Sequence, residues 1–140
     1  LQAGPYVIEV GVVPKTPSIG TFHMTMTVSD GYQEKYQDGI KITITGLGPE
    51  PMGDVVGPIT ATNDPTNPFY YEINPSVDTE GIWVFTVNIE GDLGNGSTDF
   101  PVIVSQPSMT VGFLSFVALL TLLVIIGVSL RSTFYKRRSS

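Results

Sequence analysis

The side chains best suited to holding a metal lie close together in the chain: His23, Met24 and Met26, an imidazole and two thioethers of the kind copper accepts as ligands. Their spacing works against a shared site. They fall in an alternating stretch, TFHMTMTVS, and in an extended strand successive side chains point to opposite faces. Met24 and Met26 then share a face with Phe22 and Val28, where methionine fills cores, while His23 points the other way among threonines. Met52 sits in a Gly- and Pro-rich stretch, GLGPEPMGDVVGP. His23 and Met52 are therefore the candidate metal ligands. Two such residues make no site by themselves, and no metal or other cofactor is expected.

Oxygen chemistry fares no better. Glu90 with Asp92, and Asp78 with Glu80, are paired carboxylates of a type used in acid–base catalysis, but both pairs flank turns, where acidic residues are common. The sole histidine lies within a strand pattern and beside no nucleophile motif, so a hydrolytic triad is not expected. Asp92, Asn95 and Asp99 surround a glycine-rich turn and offer hard oxygens to calcium, yet their spacing does not match a calcium-binding loop. A hairpin turn explains them. Asn95-Gly-Ser97 is a formal glycosylation sequon that the same turn accounts for. No Gly-rich phosphate loop joins a strand to a helix. The chain is expected not to be an enzyme and to take no small-molecule substrate.

The elements that position these residues come in two kinds. Residues 109–130, bounded by Met109 and Leu130, form a run of 22 without one ionisable side chain, and Arg131, Lys136, Arg137 and Arg138 follow at once. A hydrocarbon core about 30 Å thick needs roughly 20 helical residues at about 1.5 Å each, so this run predicts one membrane crossing. Lys and Arg favour the cytoplasmic side. The expected placement is thus a single-pass protein of the plasma membrane, with residues 1–108 extracytoplasmic and residues 131–140 a basic cytoplasmic tail. Gly112, Ser115, Ala118 and Thr121 recur every third position, which drifts around a helix and predicts no strong self-pairing seam. Phe134 and Tyr135 stand where an interfacial aromatic belt would be. No LPxTG-like element precedes the run. Because the chain begins at Leu1, export of the N-terminal part calls for a signal peptide that is cleaved or unseen.

All 13 acidic residues precede the apolar run, against Lys15, Lys35 and Lys41, so residues 1–108 carry a net charge of −10 and the tail +4. Nucleic acid is excluded as a partner, because its phosphates would be repelled, and so is close apposition to anionic lipid. Cysteine is absent, which removes thiol chemistry and covalent haem attachment and leaves the fold to packing and sheet hydrogen bonds.

Residues 1–108 are patterned with period two and punctuated by Gly, Pro, Asn and Asp. Strands are predicted over 6–13, 21–29, 40–45, 55–62, 69–73, 81–90 and 98–104. In the strongest, GIWVFTVNIE, Trp83, Phe85, Val87 and Ile89 point inward and Thr86, Asn88 and Glu90 outward, as expected of a central strand. Pro101 places the last strand at an edge, since proline cannot donate to a ladder. Seven strands in about 100 residues predict an all-β, seven-stranded antiparallel sandwich of immunoglobulin-like type, with a small barrel as the competing architecture. One transmembrane helix follows it. The linker 105–110 is short enough to keep the sandwich near the bilayer surface.

Val13-Pro14, Pro17-Ser-Ile-Gly20 entering a strand that ends Ser29-Asp30, and Gly81-Ile-Trp83 in a strand ending at Gly91 together resemble the YtkA-like, FixH-like and CopC-like bacterial extracytoplasmic β-sandwiches. The resemblance covers roughly residues 5–104. It implies a single-domain sandwich tied to copper handling or to assembly of respiratory complexes. Copper sites of the CopC kind use several histidines or a methionine cluster, and this chain, with one His and four Met, does not carry them over. The expected function is therefore a non-catalytic, single-pass accessory subunit of a larger bacterial membrane complex, respiratory or photosynthetic electron transfer being what the resemblance implies. Its partners would be the bilayer and other membrane-protein subunits, docked on the Pro-rich loops 46–58 and 63–68. The alternative is a membrane-anchored copper-binding or copper-delivery domain. A surface adhesion module would require an exposed aromatic patch, and most aromatic residues fall at inward strand positions.

Overall fold

The computed structural model describes residues 1–33, 35–107 and 109–138, in two compact units, Leu1–Gln106 and Pro107–Ser140. Alternation of apolar and polar side chains lets a strand bury one face, and the first unit consists of such strands. In chain order they are β1 (Gln2–Ala3), β2 (Tyr6–Val13), β3 (Gly20–Thr21), β4 (His23–Asp30), β5 (Lys41–Leu47), β6 (Val55–Thr60), β7 (Thr62–Asp64), β8 (Asn67–Ile73), β9 (Ser76–Val77), β10 (Gly81–Gly91) and β11 (Gly94–Val104). One sheet runs β1-β2-β4-β8-β7, the other β11-β10-β5-β6, and β3 pairs with β9 in a short ladder. Neighbouring strands in these sheets are antiparallel.

The fold is thus the all-β sandwich expected, with two sheets rather than a closed barrel. The strand order matches an immunoglobulin-like arrangement, β2-β4-β8-β7 facing β11-β10-β5-β6. Seven principal strands fall where the alternation places them, and four short ones join them. Two expected strands are interrupted. The segment 21–29 breaks at Phe22, which is buried and donates its N–H to Pro75 O at 3.1 Å, so β3 and β4 join different ladders. The segment 55–62 breaks at Ala61, whose N–H bonds Ile42 O at 2.9 Å: β6 pairs with β5, whereas β7 crosses to β8 in the opposite sheet. A strand that changes sheets must turn its side chains over within a residue or two, which is why its alternation is poor.

Both inner faces meet in one core. Ile8, Met24, Met26, Val28 and Ile73 come from the first sheet, and Ile42, Ile44, Trp83, Phe85, Val87, Ile89 and Val102 from the second. Phe85 is central: it stacks on Trp83 and Phe100 with centroids at 6.2 and 6.0 Å and receives the edge of Phe22 at 6.0 Å and 83°. Gly46 on β5 makes room for it, since a Cβ there would lie 2.6 Å from the Phe85 ring. No charged residue is buried among the described residues. Trp83 Nε1–H donates to Thr79 O at 2.9 Å, which ties the start of β10 to the turn before it. A tyrosine fills the comparable role in many sandwiches of this class. At the other end Tyr6 Oη–H donates to Gly94 O at 2.9 Å. The C-terminal end of β11 is held by Ser105, which donates to Pro17 O at 2.9 Å and accepts from Ile19 N–H at 3.0 Å.

The second unit is one helix, α1 (Met109–Arg138), of 30 residues. Gly112–Ser129 has mean hydropathy 2.5 and is long and apolar enough to cross a membrane. Apolar side chains project on every side, as in a helix whose solvent is hydrocarbon. Thr121 Oγ1–H returns to Val117 O at 2.8 Å, so its hydroxyl is satisfied within the helix. The basic segment expected as a separate tail continues the helix to Arg138, because Arg and Lys are good helix formers. At about 1.5 Å per residue, 30 residues span about 45 Å, enough to carry the last turns beyond a hydrocarbon core.

Candidate functional site

His23 opens β4 on the outward face of its sheet. Its Nδ1–H donates to Asn74 Oδ1 at 2.8 Å, and Nε2 lies 3.8 Å from Glu72 Oε2. Both ring nitrogens thus face oxygen partners. Met24 and Met26 are fully buried, as their alternation with His23 requires. Met52 is 75% exposed at the tip of the β5–β6 connection, on the other sheet from His23. Among the described residues no three His, Cys, Asp or Glu side chains are grouped to hold a metal ion.

The carboxylates are dispersed too. Glu90 faces Lys41 across the β10–β5 ladder at 3.6 Å, an exposed pair of small energetic weight. Asp92 sits in the two-residue turn between Gly91 and Gly94, and Asn95 and Asp99 are four residues apart on β11, about 13 Å along a strand. The oxygens considered for calcium are therefore spread out. Thr79 Oγ1 lies 3.0 Å from both Asp78 Oδ1 and Asp54 Oδ2 and knits the turn before β10 to the β5–β6 connection.

Those loops are better paired than their composition suggests. The 46–58 segment is strand at both ends, and its seven-residue tip is closed by Gly48 N–H to Asp54 O at 2.7 Å and Gly53 N–H to Pro49 O at 3.3 Å. The 63–68 segment is the β7–β8 hairpin. Asp64 Oδ1 accepts from Thr66 N–H at 2.8 Å and Thr66 Oγ1–H at 2.7 Å, and Asn63 Nδ2–H donates to Pro68 O at 2.7 Å. The Thr66 hydroxyl first, and then its backbone N–H, hold the Asp64 carboxyl below the usual carboxylate range.

The open surface of greatest chemical character lies instead on a sheet. On the outer face of β11-β10-β5-β6, Ile103 pairs with Ile82, Pro101 with Val84, Val84 with Leu47, and Leu47 with Val55. All six side chains are exposed, from 40% for Val84 to 64% for Val55 among the five large ones. Along the strands the face turns polar: Asp99 with Thr86 and Thr45, then Ser97 with Asn88 and Thr43, then Glu90 with Lys41. Sequence reasoning passed over this row. Ile82 and Val84 share the outward parity of Thr86 and Asn88, and Ile103 that of Pro101, so the signal was present in the alternation itself.

A second group lies at the end of the sandwich that holds the Gly94 turn. Tyr36 and Phe69 rings lie 6.2 Å apart, with Tyr32 89% exposed nearby in the chain and Tyr70 half-buried. The expectation that aromatic residues mostly face inward thus omitted an exposed set.

On α1, Gly112, Ser115 and Ala118 lie within the apolar stretch, and Arg131 is exposed beyond it. The side chains of Met109, Leu130, Lys136, Arg137 and Arg138 lie outside the described residues.

No family model and no curated protein sequence matches the chain. Solved structures similar to the chain include two of uncharacterised families. A DUF4426 family protein from Pseudomonas aeruginosa has a TM-score of 0.57 and 13% identity, over 77% of this chain and all of that one. A DUF4785 family protein from Legionella pneumophila has a TM-score of 0.54 and 15% identity over 75% of this chain, which corresponds to 30% of its own length. At these identities the likeness establishes the fold.

Proposed function

We propose that the chain is a non-catalytic, single-pass membrane protein whose extracytoplasmic sandwich docks on other subunits of a larger bacterial membrane complex. The observation that carries this reading is the pairing of a self-contained sandwich with one helix, α1, whose Gly112–Ser129 stretch has mean hydropathy 2.5. The basic residues after that stretch support a cytoplasmic C-terminus, and the family resemblance supports an electron-transfer complex. Affinity purification of the full chain in mild detergent, with mass spectrometry of co-purifying chains, tests it. Integral membrane proteins in fixed stoichiometry are expected. A monodisperse protein running alone would refute the reading.

The exposed Tyr32, Tyr36 and Phe69 favour a second reading, a surface adhesion module. It requires Tyr36→Ser to abolish cell–cell aggregation while leaving co-purification intact.

A further inference from the structure

We infer that the outer face of β11-β10-β5-β6, at the end where β11 terminates, is the docking surface for a protein partner whose own face is apolar at its centre and basic at its rim. This rests on the reading of the chain as a subunit and specifies where and what it binds.

The face is built as an interface core is built. Two successive rungs, Ile103 with Ile82 and Pro101-Val84-Leu47-Val55, carry no charge across four strands. With strands about 4.8 Å apart and rungs about 7 Å apart, these six positions make a patch of roughly 200 Å². Apolar and free of charge, it has the composition of the centre of an interface. Scattered apolar residues on a surface need no explanation, but a flat row to which every strand of one sheet contributes is a contiguous patch.

The rim identifies the partner. Asp99 occupies the next rung beyond Pro101 and Val84. At the other border stand Glu50, Asp54, Asp78 and Glu80, in the two loops joined through Thr79. The one lysine on this face, Lys41, lies at its far end opposite Glu90; at the near end only Lys15, in the connection after β2 that bonds Ser105, stands against Glu50, Asp54, Asp78 and Glu80. An apolar centre within carboxylates excludes two other occupants. A second copy would bring the same carboxylates against these, and an anionic bilayer would repel them. A rim of lysine and arginine satisfies both the centre and the border. The location is also constrained, since Ile103 lies three residues before Gln106, the last residue of the sandwich unit, and Ser105 is bonded on both sides to Pro17 and Ile19.

The experiment is site-directed photo-crosslinking of the full chain in its native membranes. A benzoylphenylalanine probe is introduced singly at positions 82, 84 and 103, and at positions 25 and 70 on the outer face of the opposite sheet as controls. Adducts at 82, 84 and 103, at least tenfold above the controls, to a membrane-protein peptide flanked by Lys or Arg are expected. Glu80→Lys together with Asp78→Lys should cut their yield at least fivefold. Val84→Thr, which preserves shape and strand propensity, should lower co-purification about tenfold with the Trp83 emission unchanged. Adducts to a second copy or to lipid, or equal adducts at 25 and 70, would overturn the docking face while leaving the subunit reading standing, provided partners still co-purify. A chain that purifies alone and forms no adduct would remove both.

Discussion

Gly46→Ala discriminates between two views of the core, because they predict opposite signs. If Gly46 is merely a weak strand residue, a methyl group should stabilise by about 0.5–1 kcal/mol, the usual cost of glycine within a strand. The structure predicts the reverse. A Cβ at Gly46 would lie 2.6 Å from Phe85 Cε1, 3.0 Å from Cδ1 and 3.1 Å from Cζ. Carbon atoms prefer about 3.5–4.0 Å, so the ring would have to retreat by about 1 Å. It has nowhere to go, since Trp83, Phe22 and Phe100 surround it at 6.0 to 6.2 Å. Overpacking of this kind costs about 1–3 kcal/mol, and after the backbone gain Gly46→Ala should destabilise by about 1–2 kcal/mol. For a domain of this size that lowers Tm by about 4–15 °C. Phe85→Leu removes the obstacle, so in that background Gly46→Ala should be neutral or stabilising, a coupling of about 1–3 kcal/mol. Urea unfolding of the full chain in detergent, followed by the emission of the single tryptophan, Trp83, measures all four corners of the cycle. A stabilising Gly46→Ala, or strict additivity with Phe85→Leu, would refute the packing account.

Two further outcomes follow from titrating groups. Tyr71 is buried, its hydroxyl meets no hydrogen-bond partner of good geometry, and burial, reinforced by the Asp38 carboxylate and only partly offset by a weak approach of the Ile40 backbone, pushes its pKa up. Its folded pKa exceeds the unfolded value of about 10, so this contribution is fully present below about pH 10 and is lost as pH rises through the folded value. Tyr71→Phe should therefore flatten the alkaline fall in stability and, by removing a poorly paired buried hydroxyl, stabilise by about 1 kcal/mol at neutral pH. Denaturation midpoints from pH 7 to 11 check this, and an unchanged alkaline limb would contradict it. Asp64 has the opposite sign: its lowered pKa gives a contribution present above the usual carboxylate value and lost as pH falls through its own. Thr66→Val removes the hydroxyl bond that is the largest cause, so the Asp64 carboxyl resonance should titrate at higher pH than in the parent chain. No change in that midpoint would count against the turn geometry.

The strand positions and the inward set could be read from the sequence because a half-buried strand imposes period two, which Phe22-Met24-Met26-Val28 and Trp83-Phe85-Val87-Ile89 both show. The sheet switch at Ala61 could not. Which of two sheets a strand joins depends on partners distant in the chain, and a break of one residue leaves only a blurred alternation. The continuation of α1 to Arg138 was masked differently: charge marks where a membrane ends, while helix propensity does not stop there. For the metal and acid–base candidates, residue type was visible but convergence was not. His23 and Met52 prove to lie on different sheets, and His23 faces Asn74 and Glu72 instead of another soft ligand.

The exposed row makes the same point from the other side. In β10 the outward residues change from Ile82 and Val84 to Thr86, Asn88 and Glu90, while the inward residues stay apolar throughout. An unbroken apolar run, here Ile82-Trp83-Val84-Phe85, is what a strand shows when both of its faces are buried. Strand propensity alone favours β-branched residues such as Ile82 and Val84, but it would favour them equally at the Glu90 end and would not select leucine and proline on the neighbouring strands. The selection is by position across four strands and not by strand. One face of that end is covered by the core, and the composition of the other fits a layer supplied by a second molecule.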